Sequence, residues 1–121
     1  MPARSCDPSV ELLYFSGCPN HQAFLPHLRQ LIREHGVNAP VRLVEITGDD
    51  QAQHQRFLGS PSLRINGIDV DPCATGRTDY GMQCRLYFTD NGARGVPPDS
   101  WILRALDGGA NSERSGGANS G

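Results

Sequence analysis

The sequence predicts an α/β domain with a central mixed sheet of four to five strands flanked by three helices. Three observations predict it. Short apolar runs at 10–15 and 41–46 alternate with stretches of helical spacing, so strands are joined through helices and part of the sheet is parallel. Asn66-Gly67, between 62–65 and 68–70, is a two-residue hairpin signal that adds an antiparallel pair at one edge. A last apolar pattern at 101–106 supplies the third helix.

Each element has its own warrant. Val10 to Phe15 is nearly all apolar, as expected of a strand covered on both faces. From Gln22 to His35, apolar residues fall at Ala23, Phe24, Leu28, Leu31 and Ile32, one buried helical stripe. Asn20 is the expected cap and Gly36 the expected C-terminal stop, while Pro26 removes a backbone hydrogen bond inside the helix. Val41 to Ile46 reads as the second strand. Gly48, Asp49 and Asp50 turn the chain into a short helix over 51–58, anchored by Ala52, Phe57 and Leu58 and ended by Gly59. The segment from Asp71 to Gln83 has no period and reads as a loop. Cys84 to Phe88 reads as one further strand, followed by an Asp90-Asn91-Gly92 turn. Asp99 or Ser100 caps the last helix, with Trp101 and Phe57 expected in the core.

At 121 residues the chain has room for one domain. Gly108-Gly109-Ala110-Asn111-Ser112 recurs at 116–120, a composition unable to bury enough apolar area to offset its ordering entropy. The expected organisation is an N-terminal arm at 1–8, a domain at 9–106 and a Gly/Ser/Asn tail at 107–121. The eleven basic residues are all Arg, so this chain has no lysine for Schiff-base chemistry. They are scattered, which argues against a nucleic-acid footprint. No apolar run approaches the ~20 residues of a membrane helix, and the first eight residues lack the apolar stretch of a signal peptide. A cytoplasmic setting is expected. There, four cysteines point to catalysis, redox sensing or metal binding more than to a permanent disulfide framework.

Cys18 is the leading candidate. It follows a Gly turn at the end of the first strand and precedes a proline and a helix, in Tyr14-Phe15-Ser16-Gly17-Cys18-Pro19-Asn20-His21. An exposed thiol there faces free amides and the positive end of the helix dipole, which favour a thiolate. The alternative is a buried structural thiol.

Three features together resemble the thioredoxin-like superfamily over residues 9–106. They are Gly17-Cys18-Pro19-Asn20-His21 at the first strand–helix junction, Pro26 eight residues on, and Ser60-Pro61 before the third strand with Asn66-Gly67 after it. The resemblance implies a thioredoxin-like fold in which Pro61 is cis and lies next to the Cys18 sulfur. It also implies substrate contact at Pro61, Ser60 and Pro19. His21 stands where the family has the second cysteine of Cys-x-x-Cys, so a dithiol cycle inside the motif is impossible. The chain is also similar to small bacterial thioredoxin-family proteins with a Tyr-Phe-x-Gly-Cys-Pro opening and a later Cys-Arg-x-Tyr segment, here Cys84-Arg85-Leu86-Tyr87. Some of these carry an alkylmercury-lyase label.

The candidate site then comprises Cys18 as nucleophile, His21 as a cation or proton relay, and Cys84 or Cys73 as resolving thiol. A Cys73–Cys84 bond closing the loop is a further option. Cys6 belongs to the arm. His27, His35 and His54 read as solvated helix residues. A zinc site from Cys18, His21, Cys73 and Cys84 has poor spacing, whereas a mercury ion would need only Cys18 and Cys84. Carbon–mercury cleavage also needs a proton donor, for which Asp71 and Asp79 are candidates. Three functions follow: a thiol-dependent redox protein acting on a disulfide or thiol substrate, proteins included; a mercury or soft-metal thiol protein with lyase-like activity; and a non-catalytic binding module. None implies an organic cofactor, a nucleic-acid partner or a membrane.

Overall fold

The structure, a computed structural model, describes residues 8–111, with side chains described through residue 107. Cys6, most of the N-terminal arm and the tail beyond 111 lie outside the described residues. The elements run β1 (Val10–Tyr14), α1 (Asn20–Glu34), β2 (Val41–Glu45), α2 (Asp49–His54), β3 (Ser62–Ile65), β4 (Ile68–Asp69), β5 (Tyr87–Thr89), β6 (Gly92–Arg94) and α3 (Asp99–Asn111). The main sheet has the order β2-β1-β3-β4. Only β1 and β2 are parallel, with Leu12 opposite Leu43 on one side and opposite Leu63 on the other.

Alternation along β1 explains its apolar run. Val10 and Leu12 enter one buried cluster with Phe24, Leu28 and Ile32 of α1, Leu63 and Ile65 of β3, and Ile102 and Leu106 of α3. Leu13 points the other way, into a second cluster with Ile46, Ala52 and Phe57. Strand β1 is therefore covered on both faces, and each fully buried aliphatic or aromatic side chain contributes about 1.5–3 kcal/mol. Two side-chain hydrogen bonds tie α1 and its C-cap to α3: His27 with Asp99 and His35 with Asp107, each at 2.7 Å. These histidines are thus paired, whereas His54, at the end of α2, is exposed as expected.

Helix α1 begins at Asn20 itself. Pro19 takes the cap position, and no side chain caps the end. At the far end, Gly36 adopts φ +76 and the N–H groups of Gly36 and Val37 bond back to Arg33 and Ile32, which closes the helix as a Schellman motif. Asn66 and Gly67 both have positive φ, the geometry a two-residue hairpin needs.

Three boundaries differ from the sequence reading. Helix α2 ends at His54, because the left-handed turn at Arg56 swings Phe57 into the second cluster. The expected strand from Cys84 does not join the main sheet. Cys84 makes a lone parallel bridge to Ser60, and Tyr87–Thr89 pairs with β6 in a separate two-stranded sheet. Helix α3 continues past Leu106 to Asn111, into the segment assigned to the tail. Trp101 is only half-buried, edge-on to Tyr87 at 6.2 Å, while Phe57 is fully buried. Among the described residues, no helix is long and apolar enough to cross a membrane.

Candidate active site

Two thiols meet at the C-terminal end of β1. The Cys18 and Cys84 sulfurs lie 3.5 Å apart, although 66 residues separate them in sequence. Both are free, as is Cys73. The Cys84 thiol donates to the Cys18 sulfur, and the Cys18 thiol donates to the Ser60 carbonyl at 3.4 Å.

The burial of the pair is the reverse of the expectation for Cys18. Its residue is 0% exposed, and Cys84 is the exposed member. The contacts of the Cys18 sulfur are the Ser60 carbonyl and the Cys84 thiol, not the amides opening α1. The reason is that residues 83–85 are laid across the site. Gln83 accepts from the Ser60 N–H at 2.8 Å, and the Arg85 N–H donates to the Ser60 carbonyl at 3.0 Å. Gly59 permits this approach. It has φ +127, and a Cβ there would sit 2.9 Å from both the Arg85 Cβ and the Gln83 carbonyl.

That packing also corrects the substrate contacts. The Ser60–Pro61 bond is cis and Ser60 touches the Cys18 sulfur, so this loop lies where the sequence placed it. However, both backbone groups of Ser60 are already taken by the chain's own 83–85 segment, and the Pro61 carbonyl accepts from the Tyr87 hydroxyl. Neither residue offers a free backbone edge to a substrate. Pro19 is exposed at the helix cap, and its carbonyl accepts from the Gln22 N–H.

Among the described residues, His21 makes no hydrogen bond to either sulfur. Its Nδ1 bonds the Cys18 carbonyl, and its ring stacks on Tyr14 with centroids 4.3 Å apart. Cys73 is exposed, and its N–H caps onto Asp71 at 2.9 Å. No bond joins it to Cys84. The two candidate proton donors are committed elsewhere. Asp79 pairs with Arg77 at 2.6 Å, and that hydrogen bond holds its carboxyl below the usual range, so it stays ionised. Asp71 is buried and faces Arg85 at 3.5 Å. The zinc set is not assembled: among the described residues no three of His, Cys, Asp and Glu form a metal-holding group.

The residue that the sequence reading left without a role is Arg85. It is 1% exposed. Its guanidinium bonds Asp69 at 2.6 and 2.9 Å and the Ser62 hydroxyl at 3.0 Å, and it lies 4.5 Å from the centroid of the Tyr87 ring. Burial is the largest influence and works against its charge, but the Asp69 hydrogen bonds and the charges facing it together outweigh burial and raise its pKa. Burial pushes the Tyr87 hydroxyl strongly upward, so it stays neutral and donates to Pro61. Arg85 and Tyr87 therefore act as two pegs that fix Cys84 above Cys18. The signal available in sequence was Asp69 and Asp71 as possible partners for an arginine between cysteine and leucine.

The Cys84 thiol has its pKa raised, first by its hydrogen bond to Cys18, with desolvation and the Cys18 charge adding to it. A hollow of about 260 Å³ opens beside Cys84, lined in part by Leu58, Gln83, Leu86 and Phe88. A larger one, about 540 Å³, lies under the C-terminal end of α1 and is lined by no cysteine, histidine or carboxylate. Of the two, only the smaller hollow is lined by a cysteine.

No family model matches this chain, and no curated protein or solved structure matches it either.

Proposed function

We propose that this protein is a thioredoxin-like thiol–disulfide redox protein whose working pair is Cys18 and Cys84. The observation that carries the reading is the 3.5 Å approach of the two sulfurs, one exposed and one buried. The four-stranded mixed sheet, and Ser60-Pro61 against the Cys18 sulfur, agree with what the resemblance implies.

The exposures support one order of events. Cys84 is the sulfur a substrate can reach. Deprotonated, it attacks a substrate disulfide and forms a Cys84–substrate mixed disulfide, releasing the first substrate thiolate. The Cys18 thiolate then attacks the Cys84 sulfur, forms the Cys18–Cys84 disulfide and expels the second. The protein loses two electrons and two protons, and the substrate gains them as two thiols. An external dithiol returns the protein to its starting state. The roles of the two cysteines are thus exchanged relative to the sequence expectation, because Cys18 is covered.

The test uses the full chain with Cys6→Ser and Cys73→Ser, treated with hydroxyethyl disulfide, alkylated and mapped by mass spectrometry. The expected product is a peptide pair joined through Cys18 and Cys84. Recovery of both cysteines fully alkylated, as in a non-catalytic binding module, contradicts the reading.

One observation favours a second reading. Two adjacent sulfurs with no third ligand among the described residues suit a soft cation that takes two thiolates, such as Hg(II). Native mass spectrometry with Hg(II) in competing glutathione separates the cases. Equal retention of the ion by the parent and by Cys84→Ser removes the two-thiolate site.

A further inference from the structure

The segment from Cys84 to Phe88 alternates in the wrong sense for an ordinary strand. Arg85 and Tyr87 are buried, while Cys84, Leu86 and Phe88 are exposed. Leu86 is 50% and Phe88 72% exposed. A scattered surface leucine needs no explanation, but here the apolar side chains face out while a charged one is buried beside them. With period-two geometry, Cys84, Leu86 and Phe88 stand on one face along about 13 Å. Cys84 lines the same hollow as Leu86 and Phe88.

The backbone adds an independent observation. Ser60 bonds the two neighbours of Cys84, Gln83 and Arg85, in a parallel bridge. The N–H and C=O of Cys84 therefore point away from Ser60, and among the described residues neither has a backbone partner. An unpaired edge of this kind accepts an extended polypeptide by strand addition, with side chains read in alternate pockets.

We propose that Cys84, Leu86 and Phe88 form a docking strip for an extended polypeptide, and that the substrate class is a protein or peptide disulfide flanked by apolar side chains. This rests on the redox reading of Cys84. The substrate backbone pairs with the free edge of Cys84, its cysteine meets the Cys84 sulfur, and its flanking apolar residue covers Leu86 and Phe88. The charged residues lining the hollow are each paired, Arg77 with Asp79 and Arg85 with Asp69, so no unpaired charge there selects a charged substrate.

The experiment compares two short peptides, each with one cysteine linked through a disulfide to a chromogenic thionitrobenzoate. One carries Leu and Phe beside the cysteine and the other carries Ser. Chromophore release is followed with the Cys6→Ser/Cys73→Ser protein. The expected preference in kcat/KM for the apolar peptide is about tenfold. Leu86→Ser and Phe88→Ser each lower that ratio toward one, whereas Leu43→Ser, an exposed apolar residue on β2, leaves it unchanged. No preference in the parent, or a preference that survives both substitutions, overturns the docking strip and leaves the redox pair standing. Equal release by the parent and by its Cys84→Ser variant overturns both.

Discussion

Residues 15–19 and residues 83–87 bring their cysteines to one point by different means. Cys18 is placed locally, by the end of a buried strand, a Gly turn and the start of a helix. Its N–H bonds Phe15 only three residues back. Cys84 belongs to no regular strand and is held by long-range contacts: Ser60 through the backbone, Asp69 through Arg85, and Pro61 through Tyr87. The local cysteine is buried and the long-range one is exposed. The difference teaches that the position of a thiol at a helix start does not fix its accessibility. A second segment can cover it and present its own thiol to solvent instead.

The comparison breaks most severely if the Arg85 peg is pulled. Arg85→Ala leaves the Asp69 and Asp71 carboxylates without their buried cation. We expect a loss of about 3–5 kcal/mol of stability, read by urea denaturation, together with loss of the oxidised Cys18–Cys84 species. Gly59→Ala tests the covering itself. The new methyl collides with the Gln83 and Arg85 backbone at a position with φ +127. The expected cost is about 1–3 kcal/mol, with Cys18 becoming open to alkylation in the folded protein. Tyr87→Phe is milder. It strips the Pro61 carbonyl of its buried donor, for about 1–3 kcal/mol, with the fold retained.

A titration sharpens the same contrast without a large energetic change. The raised Cys84 pKa means that its alkylation by iodoacetamide sets in at higher pH than for a free cysteine. Below that pH the thiol stays protonated and slow. Cys18→Ala removes the group chiefly responsible, so the midpoint moves down toward the ordinary value. A midpoint that stays put under Cys18→Ala would mean that the sulfurs do not interact in solution.

Much of the local half was legible in sequence. Val10–Phe15 looked covered on both faces and is, with Leu12 and Leu13 in opposite clusters. Asn66-Gly67 announced its hairpin through residues that accept positive φ. The long-range half was not legible. Cys84-Arg85-Leu86-Tyr87-Phe88 offers two faces, and hydrophobicity alone would bury Leu86 and Phe88. The structure buries Arg85 and Tyr87 because Asp69 neutralises one and Pro61 accepts from the other. Those partners lie 16 and 26 residues away, beyond the reach of any local period. The hydrogen-bonded clasps of His27 and His35 to α3 were hidden for the same reason, each spanning 72 residues.

The most direct measurement is a redox titration of the Cys6→Ser/Cys73→Ser protein across glutathione/glutathione-disulfide ratios, with each cysteine quantified by mapping. The account predicts one two-electron transition in which the Cys18 and Cys84 thiols disappear together into a single disulfide. Separate transitions, or Cys84 accumulating as a glutathione mixed disulfide while Cys18 stays reduced, would contradict it.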